Sequence, residues 1–147
     1  MKIVIQRVNR AKVTVVESGI VTGEIKKGLF LLIGIKKGDT LKNAEELANK
    51  IVKLRIMSDP DDKMNLSVKD ANGEILAVSQ FTLYANTKDG NRPSFMDAEL
   101  PEKAKEIYEH FVKTLKELGV KTEIGSFGDY MKIDTELDGP VTIVLEN

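Results

Sequence analysis

Short β-branched runs separated by small polar residues open the chain: "KIVIQRV" and "AKVTVVE" read as strands, with Ser18-Gly19 and Gly23 as punctuation. "GLFLLIGI" (Gly28 to Ile35) is continuously apolar, the pattern of a strand buried on both faces. The period then changes. Leu41, Ala44, Leu47, Ile51 and Leu54 recur at helical spacing, so a helix capped by Asp39 is expected to run to about Met57, where "SDPDDK" breaks it. "MNLSVKD", the Asn72-Gly73 turn signal and "EILAVSQFTLYA" predict a hairpin whose second strand is long and mostly apolar. After the polar loop "NTKDGNRPSF", Pro101 opens a second helix with an apolar stripe of Ala104, Ile107, Phe111, Leu115 and Leu118, and Gly119 closes it. Strands around "VKTEIGSF", "MKIDTEL" and "VTIVLE" finish the chain, with Gly139-Pro140 where the last of them should begin.

Strands outnumber helices and three of them precede the first helix. This order predicts an α/β (α+β) fold: a mixed, largely antiparallel, barrel-like sheet with two covering helices, in a single domain over residues 1–147. With 41% hydrophobic and 31% charged residues, the chain has the composition of a folded soluble protein. Its 22 basic and 23 acidic residues nearly cancel, so no global field points to a polyanion, although a local basic groove fits the same totals. The absence of cysteine removes disulfides, thiolate nucleophiles and Cys-built zinc or iron–sulfur sites. Lys2, Arg7, Arg10 and Lys12 interrupt the first segment, which is therefore read as neither signal peptide nor membrane span, and a cytosolic protein with no membrane partner is expected.

The candidate chemistry narrows by elimination. His110, the single histidine, falls on the second helix beside Ile107 and Phe111, a structural or surface position rather than a triad's base. One histidine and no cysteine leave no transition-metal ligand set, so no metal and no cofactor are expected. Asp59, Asp61 and Asp62 in "SDPDDK" lack the length and terminal Glu of an EF-hand and read as a solvated turn. "GIKKGDT" has no Gly-Lys-Ser/Thr ending and is not a phosphate loop. What remains is "SQFTL", polar Ser79, Gln80 and Thr82 in an apolar strand, where alternation would put Ser79, Phe81 and Leu83 on one face and Gln80 and Thr82 on the other. Taken alone, it reads first as an ordinary strand whose Gln80 faces water.

"SQFTL" followed some sixty residues later by "GPVT", with "QRV", "TGEI", "KMNLSV" and "RPSF" elsewhere in the expected order, resembles the D-aminoacyl-tRNA deacylases, from Met1 to the end of the chain. The resemblance implies a metal-free homodimer that hydrolyses the ester joining a D-amino acid, or mischarged glycine, to the terminal adenosine of tRNA. It implies that Ser79, Gln80, Phe81 and Thr82 line the pocket for the 3′ end, Gln80, Phe81 and Thr82 carrying the chemistry. Met131 joins Ser79 in binding substrate, and Gly139 and Pro140 form a Gly-cisPro element that enters the partner subunit's site, with Arg7 as its brace. Two positions depart from the family pattern. Leu137 stands where an Asn is usual, and Asp129-Tyr130 replaces a small residue followed by Asp before Met131.

These residues suit chiral selection. A cis Gly139-Pro140 bond would let the two neighbouring carbonyls point the same way and accept hydrogen bonds from the substrate ammonium, with no proline N–H to compete. An L side chain would then strike the Gly-Pro wall, a D side chain would point to solvent, and glycine would pass. No base accompanies Thr82, which argues against a covalent threonine. Backbone N–H groups around Phe81 and Thr82 are expected to hold the oxyanion while the ribose 2′-OH assists the water, with Gln80 on the ribose. Lys26, Lys27, Lys36, Lys37, Lys88 and Arg92 are candidates for tRNA phosphates, or simply for solubility. No DNA partner is expected. The alternatives are a noncatalytic tRNA 3′-end or nucleotide-binding module and a purely structural dimerising protein.

Overall fold

The computed structural model describes residues 1–88 and 90–147. In chain order, the strands and helices are β1 (Lys2–Val15), β2 (Val21–Ile25), β3 (Gly28–Gly34), α1 (Leu41–Lys53), β4 (Met57–Ser58), β5 (Met64–Leu66), β6 (Glu74–Ser79), α2 (Pro101–Glu117), β7 (Thr122–Ile124) and β8 (Met131–Glu146). A 3-10 turn at Phe81–Tyr84 follows β6. The main sheet runs β2-β1-β3-β6-β7, and β8 also pairs with β1. β1 is antiparallel to β2, β3 and β8, whereas β3-β6 and β6-β7 are parallel.

Strand alternation divides the apolar residues between two cores. Leu29, Leu31 and Ile33 of β3, with Ile75 and Ala77 of β6, face α1 and α2 and pack with Ala44, Leu47, Ile51, Ile107, Phe111 and Leu115. Phe30, Leu76 and Val78 point the other way, into a second core closed by Val8, Ala11, Val13 and Ile25 as β1 and β2 curl around. The sheet thus nearly closes into a barrel. At the seam, a Cβ on Gly23 would lie 2.5 Å from the Ile124 carbonyl oxygen, so the two backbones touch where only glycine fits. Among the described residues, β2 and β7 share no hydrogen-bonded ladder.

The single-domain architecture follows the sequence expectation, and three local readings change here. Asp39 does not cap α1: its carboxylate accepts from the Met1 ammonium (2.8 Å) and from Lys36 N (2.6 Å), leaving Thr40 as the cap. The helix stops at Lys53 because Leu54 is extended and Met57–Ser58 pairs with β5. The expected hairpin between β5 and β6 does not form. Ser67 and Asp70 bond each other in a tight turn (Ser67 N to Asp70 Oδ2, 3.0 Å), and β6, buried on both faces, takes a central place between β3 and β7. Two further corrections concern "SQFTL" and "LDGPVT", and both shape the site.

Candidate active site

β3, β6 and β7 are parallel, and their C-terminal ends share one edge, the edge at which open parallel sheets hold ligands. The strand containing "SQFTL" ends at Ser79. The last ladder bond is Gln80 N to Ile33 O at 2.7 Å, after which Phe81–Tyr84 coils into the 3-10 turn with Leu83 N bonded to Gln80 O. The expected alternation therefore fails beyond Ser79. Its cause is Gly34 at the end of β3, where a Cβ would lie 3.0 Å from Leu83 Cβ: the missing side chain gives the turn its seat.

The coil brings Gln80, Phe81 and Thr82 together. Gln80 Nε2 donates to Thr82 Oγ1. The backbone bonds of the turn begin at Leu83 N, so the amides of Phe81 and Thr82 lead it without a backbone partner among the described residues, and both residues are exposed. Adjacent N–H groups without backbone partners at the head of a turn can serve a carbonyl oxygen or oxyanion. Phe81, 55% exposed, meets Phe95 edge to face at 5.1 Å. Phe95 escaped the residue-by-residue reading because it lies in a polar loop with no periodicity; the signal was its place in "RPSF".

β7 continues past Ile124 into a segment lying along the C-terminal end of β6: Gly125 N bonds Ala77 O at 3.0 Å. Met131 returns against it, its Sδ accepting from Ser126 N at 3.2 Å and packing near Val78. Met131 thus flanks the edge that carries Ser79 and Gln80. Beside it, Ser126 Oγ donates to Asp129, and Tyr130 is 83% exposed.

Gly139 and Pro140 are elsewhere. They do not begin the last strand; they sit within β8, which runs unbroken from Met131 to Glu146. Gln6 pairs with Thr142 and Val8 with Leu137, so Arg7 alone faces the four residues Asp138 to Val141, and the excess is extruded as a bulge. The Gly139-Pro140 peptide bond is cis, and both residues are exposed. Arg7, 7% exposed, lies beneath. Its Nε stands 2.9 Å from Asp138 Oδ2, though unaligned with it, and Nη1 donates to Ile56 O at 3.0 Å and Ser58 Oγ at 3.3 Å. Arg7→Ala leaves Asp138 and the Ile56 carbonyl without this partner, and a loss of about 2–3 kcal/mol is expected from urea unfolding. Arg7→Lys should restore only part, because one ammonium cannot replace the fork. A variant within about 0.5 kcal/mol of wild type would remove Arg7 from this role.

Ser79 pairs with Ile33, and Ile33 with Ile3, whereas the bulge lies opposite Arg7. Four residues along β1 amount to roughly 13 Å, to which three strand spacings of about 4.8 Å are added between β8 and β6. Within one chain, the bulge and the Gln80–Thr82 turn do not meet. His110 is also distant from chemistry: its Nε2 lies 2.8 Å from Glu45 Oε1, joining α2 to α1. Lys26 and Lys27 precede β3 at the end opposite the turn, while Lys36 and Lys37 follow it on the turn's side. Among the described residues, no helix is long and apolar enough to cross a membrane.

Comparison with known proteins adds an independent line. A family model described as D-Tyr-tRNA(Tyr) deacylase matches residues 4–146. The D-aminoacyl-tRNA deacylase of Thermosipho melanesiensis is 53% identical over 148 residues, spanning 100% of this chain and 97% of its own. That of Aquifex aeolicus is 52% identical over 147 residues, spanning 100% and 98%. A solved structure titled c-Myc DNA Unwinding Element Binding Protein superposes with a TM-score of 0.93 at 41% identity, covering 100% of this chain and 99% of that one. Another, titled a probable eukaryotic D-amino acid tRNA deacylase, gives 0.83 at 15% identity, covering 98% and 97%, and supports the fold alone.

Proposed function

The chain belongs to the D-Tyr-tRNA(Tyr) deacylase family and is an ester hydrolase of that class, and from this premise we propose how its residues divide the work. The reaction is hydrolysis of the ester between a D-amino acid and the terminal ribose of tRNA, releasing the free D-amino acid. The observation that carries the assignment of the site is the pair of amides at Phe81 and Thr82, both exposed residues, which have no backbone partner among the described residues and follow the C-terminal edge of the parallel strands. As water attacks the ester carbon, negative charge grows on the carbonyl oxygen, and two fixed N–H dipoles stabilise it without reorganising. Gln80 holds the ribose, and the 2′-OH of that ribose orients the attacking water. Ser79 and Met131 border the adenosine.

Chirality needs a wall, and the chain's own Gly139-Pro140 bulge lies away from the turn. We place there the Gly139-Pro140 bulge of a second copy, making the working unit a homodimer in which residues 1–147 act as one domain. Support comes from the exposure of the bulge, its separation from the chain's own turn, and the bracing of its base by Arg7. The bulge carbonyls accept from the substrate ammonium. With ammonium and ester both fixed, an L side chain is directed into the wall and a D side chain away from it, so selection works by exclusion and tolerates many D side chains and glycine. The proposal includes neither membrane nor DNA as partner.

Incubation with D-Tyr-tRNA and L-Tyr-tRNA tests the reading. Loss of the D ester with the L ester intact is expected. Equal loss of both would refute exclusion, and tight binding with no turnover would make the protein a noncatalytic module for the tRNA 3′ end.

A further inference from the structure

A cavity of about 330 Å³ adjoins the catalytic turn on its C-terminal side, outside the residues placed on the ester, the ribose and the adenosine, and it gathers two of the lysines named above as phosphate candidates, Lys36 and Lys88. Leu83 and Tyr84 of the turn form one wall, Ala85 to Lys88 continue it, and Lys2 and Lys36 close it from the strand ends. Its charged residues are Lys2, Lys36, Lys88, Asp97 and Glu146. Lys2 is occupied, lying 3.4 Å from Glu146 and 5.0 Å over the Tyr84 ring centroid. Lys36 and Lys88 make no ion pair among the described residues, and a net positive charge remains after Asp97 is counted. Tyr84, 7% exposed, carries a buried hydroxyl with no aligned hydrogen-bond partner. Burial first, then the Asp39 and Glu146 carboxylates, raises that hydroxyl far above the phenol range, so it stays a donor at working pH.

We propose that this cavity is a phosphate subsite, which receives the 5′-phosphate of the nucleotide whose ester lies on Phe81 and Thr82. The inference rests on the deacylase reading for the location of that ester. Geometry supplies the step between them. A 3-10 turn rises about 2 Å per residue, so the cavity mouth at Tyr84 lies within about 6 Å of the leading amides. A ribose held by its ester on those amides carries its phosphate on the far side of the sugar, one sugar's width away. Loose lysine ammonium groups meet a phosphodiester as point charges, which suits a subsite that anchors any tRNA irrespective of sequence. The anchor would also fix the direction in which the single strand enters.

Equilibrium binding of adenosine 5′-monophosphate, adenosine and inorganic phosphate to wild type and to Lys36→Ala tests the proposal without turnover. Wild type should bind the monophosphate about tenfold more tightly than adenosine, and inorganic phosphate should compete with the monophosphate alone. Lys36→Ala should erase most of that preference while leaving adenosine affinity unchanged. With D-Tyr-tRNA, the variant should raise KM severalfold at unchanged kcat and lower the salt dependence of binding by about 0.7 in log–log slope. Equal affinity of wild type for monophosphate and adenosine, or a preference unaltered in Lys36→Ala, overturns the subsite. A protein that shows the preference yet hydrolyses no D-Tyr-tRNA would keep the subsite and refute the deacylase reading instead.

Discussion

Gly139→Ala should lower turnover of D-Tyr-tRNA by about 100-fold or more, although position 139 touches none of the reacting residues of its own chain. Gly139 has φ +125, a region L residues rarely occupy, and an added Cβ would stand 2.8 Å from Val141 N and 2.9 Å from Val141 Cγ2. The nearest obstacle is backbone, so the bulge must change shape. Local strain of this kind costs about 1–3 kcal/mol, which an exposed bulge can relieve by moving. Most of the damage should therefore appear as misplacement rather than unfolding: circular dichroism and the melting transition stay near wild type, while single-turnover deacylation collapses. Retention of wild-type turnover by Gly139→Ala would place the bulge outside the site.

A tRNA ending in 2′-deoxyadenosine, charged through its 3′-oxygen with a D-amino acid, should be hydrolysed about 100-fold or more slowly than its ribose counterpart, the scale of one lost general acid–base group. The protein offers little to replace the missing hydroxyl. Thr82 Oγ1 is engaged by the amide of Gln80, which is no base, and His110 is committed to Glu45 between the helices. Thr82→Ala is accordingly expected to keep turnover within about tenfold of wild type, because the Thr82 amide survives the substitution. Normal cleavage of the deoxy substrate, or a dead Thr82→Ala, would return the chemistry to the protein side chain.

Much of the fold was legible because its signals are local. Pro101 and Gly119 bound α2, the β-branched runs made strands, and the continuous apolar run of β3 marked it as buried on both faces. The misread features depend on partners distant in sequence. Asp39 is a good cap until the Met1 ammonium takes its carboxylate, and Asn72-Gly73 is a good hairpin signal until β6 is claimed on both sides by β3 and β7. "SQFTL" was singled out as the candidate site but given the wrong shape, since its coil is permitted by Gly34 on another strand. Likewise, "GPVT" was singled out, yet its position as a bulge follows from β1 contributing only Arg7 opposite four residues, a count that no single segment contains.

The Gly23 contact at the barrel seam gives a remote position leverage over the side of the site proposed for the adenosine. A methyl group there would act as a wedge, pressing on the Ile124 carbonyl and tilting the short β7 rail outward. That rail leads directly into Gly125 and Ser126, against which Met131 rests, so the displacement would be handed on to Met131 and the edge beside Ser79. A residue with no part in the chemistry thus sets the gauge of the cradle from the other side of the barrel.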